Sequence, residues 1–540
     1  VRLILNNASI SNTTTAPIKV LDAKKVILTL ADNTTNTITD SSRLSTEEDY
    51  SAAIYSKENL IINGNGTLNV NAGYRNGIKS TDDCIIVSGT LNITSTEDGI
   101  IGKDLCGVVA GDININAGSD GIKSTYDTDT TKGNVIIEGG NITIKASNDG
   151  IQAENILVIN DGTINIKTNN GAADTTQTHT DNMYMGRGGF GFNNNKTTTT
   201  RDDTAESRKG IKAGNMLIIN DGDITIDSDD DSVHCNSEIY IYGGTINAAT
   251  GDDGVHADDL LTVNGGTINI TQCYEGIEAD DIVINDGDIS VVSSDDGINS
   301  SDGSITINGG NLLINASGDG LDANGSIIIN GGYIVVLGPT SDGDTAIDYD
   351  DSCTINGGTV MAFGSSGMLE IPKGASNGAC IVTAFTSVSG GSKYTLSDSN
   401  GNEILSYTPS KAYAAAIVYS DKITTGNTYD ITAGSTTLSI EVTSDVTSNV
   451  SSGLGKAGGM NMPGNGGSGM PNNGSSDNGM NGNSNGSMPD MSGNGAPDMN
   501  GNSSGDMPSM GGNSSNNGGN MPNMNNGSSN GSAPQMNNRM

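Results

Sequence analysis

One period governs this chain. Blocks of the form Ile-x-Ile-Asn-Gly-Gly-x-Ile-x-Ile recur, each followed by an Asp-rich turn and a short Gly-Ile segment. The second glycine of the pair, or its equivalent, falls at 222, 244, 266, 287, 310 and 332, in steps of 21 to 23 residues. The glycine of Gly-Ile keeps the same step through Gly254, Gly276, Gly297 and Gly320. Each repeat holds three short apolar stretches separated by Gly, Asn and Asp, and none is long enough for an amphipathic helix. A unit this short cannot bury its apolar face alone, whereas stacked copies bury a continuous core. The expected fold is all-β, a right-handed parallel β-helix solenoid with coils of about 22 residues and three strands per coil.

The period divides the chain. Residues 1–377 are expected to form the β-helix, with irregular first coils over 1–60 and a loop insertion at about 169–207. Residues 378–447 lose the period but keep strand-like alternation, as a small β-module covering the solenoid's open strand edges would. Residues 448–540 are almost wholly Gly, Asn, Ser, Met and Pro. They cannot bury enough apolar surface to offset chain entropy, so a disordered tail is expected there.

Charge narrows the function. The chain has 540 residues with 25 Lys and Arg against 63 Asp and Glu, a net charge of −38. Phosphate backbones would be repelled, which excludes nucleic acid as a partner. The balance suits hard cations, or acidic ligands reached through them. No apolar run approaches the ~20 residues that span a bilayer, so membrane insertion is not expected. The opening Val1-Arg2-Leu3-Ile4-Leu5 has no initiator Met and no leader-like pattern. A mature or trimmed protein, secreted or at the cell surface and monomeric, is the expectation.

Winding the repeat turns the pattern into columns. The residue before the Gly-Ile glycine reads Asn76, Asp98, Asp120, Asp149, Lys209, Asp231, Asp253, Glu275, Asp296, Asp319 and Thr345. The outward residue two beyond that glycine reads Lys79, Ile101, Lys123, Gln152, Lys212, His234, His256, Glu278, Asn299, Asp322 and Asp348. Like charges one coil apart repel by around 1 kcal/mol even in water. Toward the N-terminus Lys79 and Lys123 match the aspartates, predicting local ion pairs. Further on the partner is itself polar or acidic, so Asp295, Asp296, Asp319, Asp322, Asp344 and Asp348 are the candidate Ca²⁺ ligands. Turn aspartates that merely cap backbone N–H groups would show the same spacing.

Other features carry less chemistry. His234 and His256 share the outward slot on adjacent coils, with Glu278 next; they could hold a transition metal or form polar surface. Tyr184, Arg187, Phe190 and Phe192 lie in the insertion of an aromatic-poor chain, and with Glu278 and His256 they are candidate sugar contacts. Gly186 to Gly191 formally matches G-x-G-x-x-G, but no strand precedes it and no helix follows, so dinucleotide binding is rejected. Asn264, Asn285, Asn308, Asn330 and Asn356 predict an amide ladder, on residues that tolerate left-handed backbone. Cys84 and Cys106 share one offset on neighbouring coils, where stacked thiols or a disulfide would both fit. No residue is assigned a catalytic role.

The opening Pro17-Ile18-Lys19-Val20, Lys25–Leu30 and Asn36-Thr37, with Asn76-Gly-Ile-Lys-Ser80, Asp120-Gly-Ile-Lys-Ser124 and Asp344-Thr-Ala-Ile-Asp-Tyr-Asp350, resembles a known family. It is the cellulose- and acidic-sugar-binding parallel β-helix family of clostridia, whose members are called carbohydrate-binding-domain-containing proteins. The resemblance covers about residues 1–447. It implies binding of cellulose or polygalacturonate, aided by Ca²⁺, and a fold similar to the pectate lyases of polysaccharide lyase family nine. Those lyases hold Ca²⁺ with an Asp-Asp-x-x-Asp rung and an Asp of the preceding coil. Asp319, Asp322 and Asp295 or Asp296 match most of that set, while Gly318 replaces the first Asp. The lyases also use a Lys base, and the outward slots beyond Asp322 hold none; the nearest, Lys373, lies past the last regular coil. A non-catalytic polysaccharide-binding protein is therefore expected, with a Ca²⁺-dependent lyase or a structural surface adhesin as the alternatives.

Overall fold

The structure, a computed structural model, describes residues 1–41, 50–173 and 207–450. The described chain is all-β apart from short helical turns, and its parallel strands form a solenoid of about 14 turns. Twelve coils follow from the regular glycine markers; the irregular first stretch supplies the remainder.

Each coil visits three sheets in turn. In one representative coil the strand Ile305–Ile307 joins a 15-stranded sheet. Asn311–Asn315 then joins a second sheet, and Leu321–Ala323 a 13-stranded third. Pairing is parallel and in register from coil to coil, as in Ile298↔Leu321↔Ile347. The inward residues of all three sheets, among them Ile305, Ile314 and Leu321, merge into one apolar core.

Two glycine positions set the coil. The second glycine of each pair adopts left-handed backbone, with φ of 89° at Gly310 and 93° at Gly332. The expected amide ladder runs beside them: Asn330 Nδ2 donates to Asn308 Oδ1 at 2.8 Å and Asn356 Nδ2 to Asn330 Oδ1 at 3.0 Å. The Gly-Ile glycine is required because coils approach closely there. A Cβ on Gly297 would lie 2.5 Å from the Gly320 carbonyl.

Beyond the last coil the chain continues as strands. Tyr413–Ser420 pairs antiparallel with Thr359–Gly364 of the second sheet, then with Ala379–Val388. A four-stranded antiparallel sheet completes it, over a second core that includes Phe363, Tyr394 and Tyr413. Cys84 and Cys106 face one another across adjacent strands as separate buried thiols. Tyr184, Arg187, Phe190 and Phe192, most of the insertion, and the tail beyond 450 lie outside the described residues.

Candidate functional site

The third sheet positions the candidate residues. Its register brings Lys123, Gln152, Lys212, His234, His256, Glu278, Asn299, Asp322 and Asp348 into one column. The Asp that precedes each Gly-Ile glycine stands beside it at the coil corner.

The corner carboxylates divide their oxygens between two tasks. One accepts the backbone N–H of the next corner. Asp120 N donates to Asp98 Oδ1 at 3.1 Å, Asp149 N to Asp120 Oδ1 at 2.9 Å, Glu275 N to Asp253 Oδ1 at 3.2 Å and Asp319 N to Asp296 Oδ1 at 2.6 Å. The capping alternative is thus real, but it occupies one oxygen only. In the N-terminal half the second oxygen meets a cation: Lys123 Nζ lies 2.6 Å from Asp120 Oδ2, and Lys209 Nζ 2.5 Å from Asp231 Oδ2. Lys79 departs from the expected pairing and donates to Ser51 Oγ at 3.2 Å, since its own corner residue is the neutral Asn76.

Toward the C-terminal end that compensation stops. Donor oxygens of Asp296, Asp319 and Asp322 all lie within 4.8 Å of one another. Burial raises each carboxyl, and neighbouring carboxylates add to it. Asp296 is pushed up to about 8 with Asp322, Asp295 and Asp344 as like charges. Asp319 reaches about 9 beside Asp296, Asp322 and Asp348, although its bond from Thr345 N opposes the shift. Asp322 reaches about 7 beside Asp348 and Asp350. Burial, then Asp295 and Asp348, also raises Asp344. All six candidate ligands therefore belong to one electrostatic cluster.

Gly318 gives this cluster its shape. A Cβ at that position would stand 2.4 Å from both Asp295 Oδ1 and Asp296 Oδ1. The glycine makes room for two aspartates of the preceding coil, where the lyase pattern would place its own Asp. The set of clustered carboxylate oxygens fits a hard divalent cation. Lys373 does not serve it: its Nζ donates to the Asp351 carbonyl and lies 5.3 Å from the Tyr349 ring centre. Lys411, unremarked in the sequence, reaches from the cap to the Ala316 and Leu337 carbonyls, and its pKa is lowered by burial alone.

The middle of the column is different. His234, expected at the surface, is only 8% exposed. Its neighbour His256 has Asp253 Oδ2, Glu278 Oε2 and Asp231 Oδ2 at 3.3, 3.4 and 3.7 Å from Nδ1. Burial alone would lower the His256 pKa, but these carboxylates raise it to about 10. Burial likewise lifts Glu275 to about 10 and Glu278 to about 8. Asp231 goes the other way: despite burial, Lys209 and the two histidines hold it well below the carboxylate range. A further surface feature that the repeat did not flag is Tyr242, 47% exposed and stacked on Tyr240 at 6.5 Å, on the 15-stranded sheet.

Comparison with known proteins adds an independent finding. A family model described as carbohydrate-binding domain-containing protein matches residues 1–254 and 252–468. A protein of that description from Acetivibrio thermocellus is 38% identical over 95 residues, covering 17% of this chain and 33% of that relative. The match thus spans about a third of the relative's length. A solved structure described as the polysaccharide lyase-like protein from C. thermocellum, gadolinium derivative, is 35% identical with a TM-score of 0.31. That alignment covers 31% of this chain and 69% of the other.

Proposed function

Because the chain belongs to the family of carbohydrate-binding domain-containing proteins, we propose that it is a non-catalytic binder of acidic plant cell-wall polysaccharide. In this reading it works outside the cell and depends on calcium. The observation that carries the reading is the cluster of Asp296, Asp319 and Asp322, whose principal charged neighbours are all further carboxylates. An uncompensated cluster of this kind repels the carboxylate of a uronate. Asp296, Asp319 and Asp322, ringed by Asp295, Asp344 and Asp348, would hold the ion. Bound there, Ca²⁺ would supply the positive charge that an acidic sugar needs at this face.

The chain's own residues then supply the rest. The corner bonds through Asp296 Oδ1 and Asp319 Oδ1 fix the carboxylates, so that little ordering remains to be done when a ligand arrives. The in-register column gives a long, regular surface suited to an extended glycan. Non-catalytic binding is favoured over lyase chemistry because, among the described residues, no lysine is a principal electrostatic neighbour of these three aspartates. Trp is absent from the chain, which argues for polygalacturonate ahead of crystalline cellulose.

The test is retention on polygalacturonate and on cellulose, with calcium and with chelator, while ultraviolet absorbance follows any unsaturated product. The reading expects calcium-dependent retention on polygalacturonate, its loss in Asp319→Asn, and no product. Accumulating product would convert the assignment to a lyase, and unchanged retention in chelator would remove the metal from it.

A further inference from the structure

Two of the chain's three histidines stand side by side in the third sheet, on coils where the carboxylate column still has a basic neighbour in Lys209. Their rings meet edge to face with centres 4.9 Å apart. His234 Nε2 lies 2.9 Å from Asn236 Oδ1. An N–H donated there leaves Nδ1 of a neutral ring with a bare lone pair. That Nδ1 is buried and makes no directed hydrogen bond, although Asp231 Oδ2 lies 2.8 Å away. The distance is that of a hydrogen bond but the direction is not. Either a proton on Nδ1 or a metal ion would satisfy this contact.

The second ring repeats the pattern. His256 Nδ1 has three carboxylate oxygens at 3.3, 3.4 and 3.7 Å, and one ring proton could serve one of them at most. These separations exceed the usual N–H···O range but match the ligand-to-ligand spacing around an ion with bonds of about 2.0–2.2 Å. Donor atoms of Asp231, His234 and His256 fall within 4.8 Å of one another, as do those of Asp253, His256 and Glu278. Around them stand Asp230, Asp231, Asp253, Glu275 and Glu278, with Lys209 paired to Asp230 and Asp231 and Lys212 in register beside His234.

We propose that His234 Nδ1, His256 Nδ1 and Asp231, with Asp253 and Glu278 beside them, form a site for a borderline divalent transition metal of the Zn²⁺ class, separate from the all-oxygen cluster at Asp296–Asp322. Imidazole nitrogen selects such ions over calcium. Asn236 is a positioning residue: its carbonyl holds the His234 ring in the tautomer that offers Nδ1 as a ligand.

The experiment uses tag-free full-length chain, stripped with chelator and titrated with Zn²⁺, or with Co²⁺ for its visible spectrum, in excess calcium. One ion per chain is expected, resistant to calcium. His234→Gln and His256→Gln should each lose affinity at least about 100-fold, and Asn236→Ala about 10-fold, while Asp319→Asn should bind Zn²⁺ unchanged. Because a ring substitution could disturb folding, the wild-type imidazole signals give a second reading. Zn²⁺ should move both the His234 and the His256 resonances. Displacement by calcium, undiminished binding in either histidine variant, or ring signals that ignore Zn²⁺ would each overturn the proposal.

Discussion

The backbone N–H of Asp319 donates to Asp296 Oδ1 at 2.6 Å, joining two consecutive coils through a side chain that also faces Asp322. One carboxylate thus serves as both a structural acceptor and a member of a like-charged cluster. The two roles separate by substitution. Asp296→Asn keeps an acceptor oxygen and removes a charge, so it should match or exceed the wild-type melting temperature in chelator. Asp296→Ala removes the acceptor as well and should cost about 2 kcal/mol, the scale of a hydrogen bond to a charged group. Both should lose the stabilisation that calcium gives, read as the difference in melting temperature with and without the ion.

The same cluster predicts an unusual pH profile. The carboxyls of Asp296, Asp319 and Asp322 are raised to about 8, 9 and 7 in the folded chain. A raised carboxyl contributes stability that is fully present below its unfolded value near 4 and is lost as pH climbs through the folded value. In chelator the melting temperature should therefore fall from about pH 5, most steeply between about 5 and 7 where all three carboxyls hold a proton only in the folded chain, and level off above about 9. Calcium should flatten the decline, and its apparent affinity should rise over the same window. A pH-independent melting temperature in chelator would contradict the clustering.

Gly318 should prove indispensable for calcium yet not for folding. Gly318→Ala places a methyl against Asp295 Oδ1 and Asp296 Oδ1, so these carboxylates must move. Calcium affinity should drop by about 10-fold or more, equivalent to about 1.4 kcal/mol. Isothermal titration of this variant beside Asp322→Asn would show whether the cradle matters as much as a ligand.

Lys209 is buried between Asp230 and Asp231, at 3.0 and 2.5 Å. Lys209→Met would leave two buried carboxylates without their ammonium partner, a loss of about 3–5 kcal/mol. Urea denaturation at neutral pH should show it, whereas replacement of the exposed Lys393 should change stability by less than about 1 kcal/mol.

The amide ladder gives a milder test. Asn308 donates to Asn285 Oδ1 and accepts from Asn330 Nδ2, both at 2.8 Å. Asn308→Ala interrupts both bonds at an exposed turn and should cost about 1 kcal/mol, with no effect on calcium or glycan retention.

How much of this could be read from the sequence follows from what periodicity can encode. A constant coil length fixes which residues stack, so the pairing His234↔His256↔Glu278 and the gathering of Asp296, Asp319 and Asp322 were both legible. Burial was not. An outward position in a strand suggests solvent, yet Ile101 is 2% exposed where it stands in register between Lys79 and Lys123, and long neighbouring stems can cover a short apolar side chain. Nor could spacing tell which aspartate a lysine would meet. Lys209 interrupts the corner column in the sequence, but turns toward Asp230 and Asp231 of the following coil. The left-handed backbone falls on the second glycine of each pair, two residues beyond the ladder Asn, where the absence of a Cβ makes that conformation cheap.

The switch from parallel to antiparallel pairing at Thr359–Gly364 and Tyr413–Ser420 acts as a terminator in the sense that polymer chemistry gives the word. Each parallel coil offers the next a template of the same direction and step. The reversed strand ends that series on the second sheet, and beyond it Ala379–Val388 pairs antiparallel before Val446–Ser448 adds the last strand. Duplication or loss of whole turns upstream would leave this closure untouched, which makes the length of the stack adjustable one coil at a time.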